Sequence, residues 1–599
     1  MKQAWLERVR EVFATDLRTL ALFRFALGSV LFWTLLFRLP DLTAFYSDAG
    51  VMPRAWIIET DNALRWSLHF ASGAAGVQGV LILVQALIAL MFALGWRTRL
   101  SNALSWALLV SLHNRNPLVL IGGDYLMVCL LFWGLFLPLG ARWSVDAALS
   151  PAAPPAENRW RSWASAGLLL QVLSVYFFSG LLKSDPVWWP DGTAVYYALA
   201  LDRYAMPVGQ WIRHSLPWLM QPLSYFVWFL EWLGPLLALS PVGTRPLRFL
   251  VMGLLVLMHT GFALCLAIGH FPYVSLASLT VLAGGWLWDR AARDAERGEG
   301  VRVFCATRTG ETAAKLLRTF LILPALDIRS GAGGSRVEAL MAAHGGFVVI
   351  DRDDAAHVKW GAITALLARS RLLRPFAGLA RALRPPLDRA WDLLARLRWP
   401  AWLALPAPAR AFTPPRWSDP IAALFVFACL AWNIATLSVP GARAVFGKLA
   451  PLFYPLRLDQ VWDMFAPYPS RGDGWYVIPG KLSDGSEIDL LHPARDGVDY
   501  EKPASVSADI PNVRWQAYQS RLYDHRFAHH RAGYARYLCR QWNASAPPER
   551  RLESFKIIYM LETTLLDNQK APVEQRVLWT QDCGHPPPEN EGTAAGEPR

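Results

Sequence analysis

Four ionisable side chains stand inside long apolar runs of this chain: Arg24, Lys183, Glu231 and His259. A charge at the centre of a lipid bilayer costs about 2.5–3.5 kcal/mol on insertion scales, so each must reach water, find a partner or serve chemistry. Arg24 lies one turn into its run, where snorkelling or structural pairing would satisfy it. Glu231 and His259 can satisfy one another, or Arg24, in a buried network. Lys183 closes the run Tyr176-Phe-Phe-Ser-Gly-Leu-Leu-Lys183. On a helix Tyr176, Gly180 and Lys183 fall at i, i+4 and i+7 on one face, with Ser179 adjacent. Lys183 then has two readings. It is an ammonium reaching outer headgroups, or an amine in apolar surroundings, where burial penalises the charged form and leaves a base. Spacing does not separate them.

The elements that position these groups follow from composition. The chain has 599 residues, of which 54% are apolar and 18% charged, with a mean hydropathy of +0.23. A soluble chain of this length rarely carries so little charge, so this composition predicts a membrane protein. The 29 Trp and 29 Phe suit the lipid–water boundary. Runs of about 20 apolar residues, enough to cross a bilayer, are expected near 20–38, 77–96, 101–120, 122–140, 163–183, 222–242, 247–268, 271–288 and 420–438. The start Met1–Arg18 lacks a signal-peptide pattern, so the first run is kept as a span. With a cytoplasmic N-terminus, the basic loops 96–100, 141–162 and 243–248 and the block 289–417 all fall on one side, as the positive-inside rule expects. That block holds 21 Lys/Arg against 12 Asp/Glu, whereas 439–599 holds 19 against 20. Nine spans place 439–599 outside, in an oxidising compartment.

The net charge of +12 is thus accounted for by cytoplasm-facing loops, and no basic stripe with interleaved aromatics speaks for nucleic acid. Six cysteines without CxxC or Cys/His spacing leave no expected metal site. Cys539 and Cys583 are the two cysteines of the C-terminal block, and in an oxidising compartment they are a candidate disulfide pair, the alternative being two separate buried thiols. Residues 301–360 read as a small α/β unit, with strands at Val301–Cys305 and Phe347–Ile350, a helix at Glu311–Leu323 and a turn at Asp351–Asp354. An arginine-rich helical stretch follows to about Arg398. Pro400–Pro415 reads as a linker, Trp475–Leu491 as a hairpin turning at Asp484-Gly485, and 586–599 as a disordered tail.

The segment Tyr176–Lys183, followed by Ser184-Asp185-Pro186-Val187-Trp188, resembles the stretch that carries the catalytic lysine of vitamin K-dependent γ-glutamyl carboxylase. Leu20–Gly28, Leu94–Ser101, Arg142–Asp146 and His259 leading to Ile268–Ser278 agree in the same order. The likeness covers residues 17–288 and is closer still to the HTTM (horizontally transferred transmembrane) proteins of bacteria. It implies a multi-pass protein of a bacterial inner (plasma) membrane. It also implies a quinol-dependent oxygenase, epoxidase or carboxylase acting on a reduced naphthoquinone of the vitamin K or menaquinol type, with Lys183 as the catalytic base. Tyr176, Ser179, Asp124, Arg24, Glu231 and His259 become pocket or supporting residues. The sequence departs from the carboxylase at Leu182, where the family has a second lysine, and at Gly123 in Ile121–Leu126, where it has a histidine. These departures weigh against glutamate carboxylation more than against quinol oxygenation. Val301–Phe320 and Val348–Arg398 resemble a DCC-type thioredoxin-like domain in which Thr309 and Thr312 replace the motif cysteines. A hydroxyl forms neither a disulfide nor a reactive thiolate, so the exchange activity of that family is not expected.

The expected architecture is therefore mainly α: a polytopic membrane helix bundle with an eight-span core at 1–288 and a ninth span at 418–438. A cytoplasmic thioredoxin-like insert at 289–417 and a β-rich extracytoplasmic domain at 439–585 complete it. Membrane lipid and a quinone are the expected partners, together with a peptide or protein outside the cell. The alternative is a non-catalytic scaffold or transporter-like protein that binds a partner through its C-terminal domain.

Overall fold

A computed structural model describes residues 2–60, 65–151, 155–292, 300–323, 325–331, 334–344, 347–370, 373–396, 414–415, 417–437, 442–495, 497–567, 569 and 571–584. The expected linker 400–415 falls almost entirely outside the described residues, as does the tail 586–599. The N-terminal apolar runs form α1 (Leu17–Leu36), α2 (Ala75–Leu94), α3 (Thr98–Arg115), α4 (Gly122–Gly134), α5 (Trp163–Leu182), α6 (Met220–Ala238), α7 (Thr244–Cys265) and α8 (Phe271–Leu279). Among the described residues, five segments are long and apolar enough to cross a membrane: Leu17–Tyr46, Ala75–Leu94, Trp163–Leu182, Thr244–Cys265 and Ser418–Ala435.

The other four expected spans fall short for local reasons. Helix α3 has 18 residues but is too polar, carrying Arg99, Asn102, His113, Asn114 and Arg115, and it stops where Asn116 turns extended and Pro117 opens a short 3-10 turn. Helix α4 has 13 residues, about 20 Å at 1.5 Å per residue, against about 30 Å of hydrocarbon. Helix α6 carries Glu231 and Pro235 inside it. The run 271–288 breaks into the 9-residue α8, a 3-10 turn to Leu282 and a new helix from Gly285.

At one end of the bundle Asp16 caps α1 by accepting from the Arg18 amide, and Thr15–Asp16 pairs with Arg159–Trp160 just before α5. Gly28 lets α1 approach α2, since a Cβ there would come within 2.8 Å of Ala93. Asp146 accepts from the Arg97 and Thr98 amides and so caps the start of α3.

The middle block forms β1 (Arg302–Cys305), α9 (Arg308–Phe320), β2 (Asp327–Ser330), α10 (Ser335–His344), β3 (Phe347–Ile350), β4 (Ala356–His357), α11 (Lys359–Arg369), α12 (Ala377–Ala382) and α13 (Arg384–Arg396). The sheet runs β2-β1-β3-β4, with β1 and β2 parallel and the remaining pairs antiparallel. Helix α9 begins three residues before the expected Glu311 because the Thr307 side chain accepts from the Gly310 amide and caps it.

After α14 (Ser418–Ala435) come β5 (Gly472–Val477), β6 (Pro479–Leu482), β7 (Glu487–Asp489), α15 (Val513–Tyr523), α16 (Arg531–Asn543), β8 (Leu552–Thr563) and β9 (Glu574–Asp582). The hairpin forms between β6 and β7, with Gly485 at φ 83° in its turn. The expected single strand Trp475–Leu482 is instead two, broken at Ile478, and both pair with the long β8. The block is mixed rather than β-rich: α15 and α16 pack with the sheet, and Cys539 of α16 is disulfide-bonded to Cys583 beyond β9.

The flanking blocks meet opposite ends of α1. Arg18 at its start bonds Asp289 at 2.7 Å. Arg38, just past its end, shares Asp124 with Arg514 of the C-terminal block.

Candidate functional site

Helix α5 delivers Lys183 to a buried position against α6. Gly180 makes this approach possible: a Cβ there would lie 3.0 Å from Trp232 and 3.2 Å from the Glu231 side chain. Lys183 is the C-cap of α5, and the Trp228 indole donates to its carbonyl at 3.1 Å, satisfying one of the acceptors a helix end leaves open. Lys183 Nζ donates to Ser179 Oγ and to Glu231 Oε2, both at 2.6 Å, and lies 5.1 Å from the Trp188 ring centroid. The side chains of Lys183 and Glu231 are 2% and 7% exposed, so the amine is enclosed by protein. Desolvating both charges is costly, and the short contact with an extra hydroxyl offsets that cost.

One to two turns back on α5, the Tyr176 hydroxyl bonds His259 Nε2 of α7 at 2.8 Å. Phe262 and Phe271 flank the imidazole edge-on. His259 Nδ1 and Trp232 Nε1 are buried and have no hydrogen-bond partner among the described residues. The site thus holds an amine, a carboxylate it can hand a proton to, an aromatic wall and polar atoms left open.

Asp124 lies elsewhere, in a cluster of its own. As the third residue of α4 it accepts from the Ile121 amide at 2.8 Å, and Arg38 donates to it at 2.8 Å. Arg514 of α15 grips both of its oxygens. The Nε2 atoms of His270 and His113 stand 3.3 and 3.5 Å from Oδ1. Gly123 is required beside this cluster, because a Cβ would sit 2.9 Å from the His270 ring. The space that a side chain at position 123 would take is thus filled by His270. Phe271, next in sequence, packs on His259 with ring centroids 5.7 Å apart, so the two sites adjoin.

Arg24 joins neither site. Its guanidinium donates to the carbonyls of Ala93, Leu139, Arg142 and Trp143 at the opposite end of α1 from Arg38, tying the ends of α2 and the 139–143 turn together. Gly95 completes this knot, at φ 71° and with no room for a Cβ beside Ser144 and Arg24. The expected network of Arg24, Glu231 and His259 therefore does not form: Glu231 pairs with Lys183, His259 with Tyr176, and Arg24 with main-chain oxygens.

The family model of the HTTM domain matches residues 14–285. This chain carries an HTTM domain. No curated protein and no solved structure matches it. The HTTM domain spans α1 to α8 and holds Tyr176, Ser179, Lys183, Glu231 and His259, as well as Asp124 and its partners except Arg514. Together with the long apolar helices, the domain marks the chain as a membrane protein. The match does not reach the middle block, and the DCC likeness of that block has no support from these comparisons. There Cys305 is buried at the end of β1, and burial pushes its thiol up to about 11, while Thr309 and Thr312 lie within α9.

The sequence reading missed Arg38, His113, His270, Trp188 and Arg514. Arg38 and His113 could have been flagged, since both sit at the ends of apolar runs. Arg514 carries no such signal, because its partner is 390 residues away.

Proposed function

We propose that the HTTM domain works as a quinol-dependent membrane oxygenase or carboxylase-like enzyme with Lys183 as its base. The buried contact of Lys183 with Glu231 at 2.6 Å carries this reading. A lysine acts as a base only when neutral, and a carboxylate within hydrogen-bond reach takes its proton without releasing a charge into lipid. Proton transfer from Nζ to Oε2 leaves an amine and a carboxylic acid, which together cost less in an apolar site than two separated ions. Ser179 Oγ holds the amine on the α5 face during that exchange.

The donor set fits a reduced naphthoquinone. Trp188, Trp228 and Phe271 supply flat apolar surface, and His259 Nδ1 and Trp232 Nε1 are open polar atoms for ring oxygens. When bound, a reduced naphthoquinone supplies the electrons for oxygen reduction. Lys183 would accept the hydroxyl proton, and Tyr176 with His259 would orient the ring. Glutamate as the final acceptor is disfavoured by Leu182 and Gly123.

The proposed orientation has the N-terminus and the block 289–417 in the cytoplasm and 439–599 outside a bacterial inner membrane. The attachment of the two blocks to opposite ends of α1 supports it. The order β2-β1-β3-β4, with α9 and α10 joining the first three strands, supports a thioredoxin-like unit in the middle block, without thiol chemistry.

A second reading is a non-catalytic scaffold or transporter-like protein that docks a peptide or protein partner. It is favoured by a cleft of about 740 Å³ between the 40–49 segment and the C-terminal block, lined by Trp475, Tyr476, Trp515 and Tyr537. Two measurements separate the readings. Mass spectrometry of lipid co-purifying with the full chain should find a quinone. Purified protein should convert a reduced naphthoquinone to its epoxide with oxygen uptake, and Lys183→Ala should abolish this. Lys183→Arg should not restore it, since a guanidinium stays protonated. Turnover that survives Lys183→Ala removes Lys183 from the mechanism, and absence of turnover with any quinol favours the scaffold.

A further inference from the structure

The middle block turns one apolar, basic face away from its own core. Helices α12 and α13 bury Ala377 and Ala380 and pack on the unit's core through Trp391, edge-on to Phe347 of β3, and through Asp388, which accepts from the Trp360 amide of α11 at 3.0 Å. The opposite side carries Phe376, Leu379, Leu383 and Leu393, exposed by 57%, 61%, 44% and 66%. Phe376, Leu379 and Leu383 follow at i, i+3 and i+7, so they share a face. Arg374, Arg381 and Arg389 are exposed around them and make no side-chain hydrogen bond or ion pair to the described residues.

We propose that this face lies on the acidic-lipid surface of the membrane that the protein crosses. Large apolar side chains ringed by arginines are the pattern of an interfacial helix, whose apolar residues enter the headgroup boundary while the cations meet acidic headgroups. The block is tethered at both ends to apolar helices, α7 and α8 before it and α14 beginning at Ser418, so a lipid surface is always within reach. Its charge excess of 21 Lys/Arg over 12 Asp/Glu complements acidic lipid. The proposal rests on the membrane placement argued above and is independent of the Lys183 chemistry.

Hydrogen exchange on the full chain tests it, in nanodiscs of phosphatidylcholine alone and of phosphatidylcholine mixed with phosphatidylglycerol. Exchange across 377–393 should be slower in the acidic discs. In Arg374→Gln/Arg381→Gln/Arg389→Gln that protection should fall by roughly fivefold per arginine removed, the factor that about 1 kcal/mol each corresponds to. Phe376→Ser/Leu379→Ser/Leu383→Ser should lose protection in both discs. Unchanged exchange in β1 and β3 reports an intact unit; if the serine variant disturbs them, the glutamine variant, which keeps the apolar residues, decides. Equal exchange in both discs overturns the proposal. So does protection that appears in detergent and grows with protein concentration, which would make the occupant a second copy. Because no quinol is needed, this outcome is separate from any result on turnover.

Discussion

Lys183 and Glu231, 48 residues apart in the chain, meet with Nζ 2.6 Å from Oε2, each side chain under a tenth exposed. Neither charge has water to fall back on, so each stabilises the other and each is exposed to damage when the other is removed.

Lys183→Met should therefore destabilise the protein by about 3–5 kcal/mol, the cost of leaving a buried charge uncompensated. Lys183→Met/Glu231→Gln should recover most of that loss. Thermal melts of the detergent-solubilised variants measure both, and a single variant that melts with the wild type would mean that the pair carries no stabilisation.

Asp124→Asn and Arg514→Met should couple. Among the described residues, Arg514 is the partner of Asp124 that comes from the C-terminal block, so a double-mutant cycle should show roughly 1–3 kcal/mol of interaction. Each variant alone should speed amide exchange in α15. Additive effects would show that the two charges do not sense one another.

The two sides of the membrane can be read directly. Reporter fusions at residues 350 and 500 should report opposite compartments, and the same compartment for both would remove the proposed orientation.

Cys539 and Cys583, bonded to each other, should resist alkylation under denaturing, non-reducing conditions. Reduction should lower the stability of the C-terminal block by about 4 kcal/mol, the chain-entropy value for a loop of that length. Two thiols alkylated without reductant would exclude the bond.

His69, outside the apolar spans, predicts a pH dependence. Its ring contacts Gln78 Oε1 at 2.5 Å and Gln85 Nε2 at 2.8 Å, a fit to the neutral imidazole. Burial pushes its pKa down from 6.5 to about 4. The unfolded chain then binds more protons than the folded one below about pH 6.5. Stability should be full above that pH and fall progressively toward pH 4, by roughly 3 kcal/mol. His69→Asn should flatten this part of the profile in equilibrium unfolding, and an unchanged profile would assign the acid sensitivity to other groups.

Residue order alone determined a good part of this protein. Runs of apolar letters become helices wherever no Pro, Gly pair or polar break intervenes, because a backbone without water must satisfy its own hydrogen bonds. That is why 75–94, 163–182 and 244–265 are helical close to their expected bounds. The face Tyr176–Ser179–Lys183 was legible for the same reason, since helical spacing fixes which side chains share a side. The Asp484-Gly485 turn was equally local. So was the end of α4 at Gly134, since Pro138 has no amide hydrogen to donate to the carbonyl four residues back.

Pairing was decided only by tertiary structure. Arg24, Lys183, Glu231 and His259 looked alike as isolated ionisable groups in apolar sequence, yet Arg24 ties main-chain carbonyls, Glu231 meets Lys183 and His259 meets Tyr176. An ionisable group in a low-dielectric interior is obliged to find a partner, and that obligation is written in the sequence. The partner itself is chosen by how helices distant in the chain cross and how closely glycines such as Gly180 and Gly123 let them approach, which periodicity along one segment does not encode.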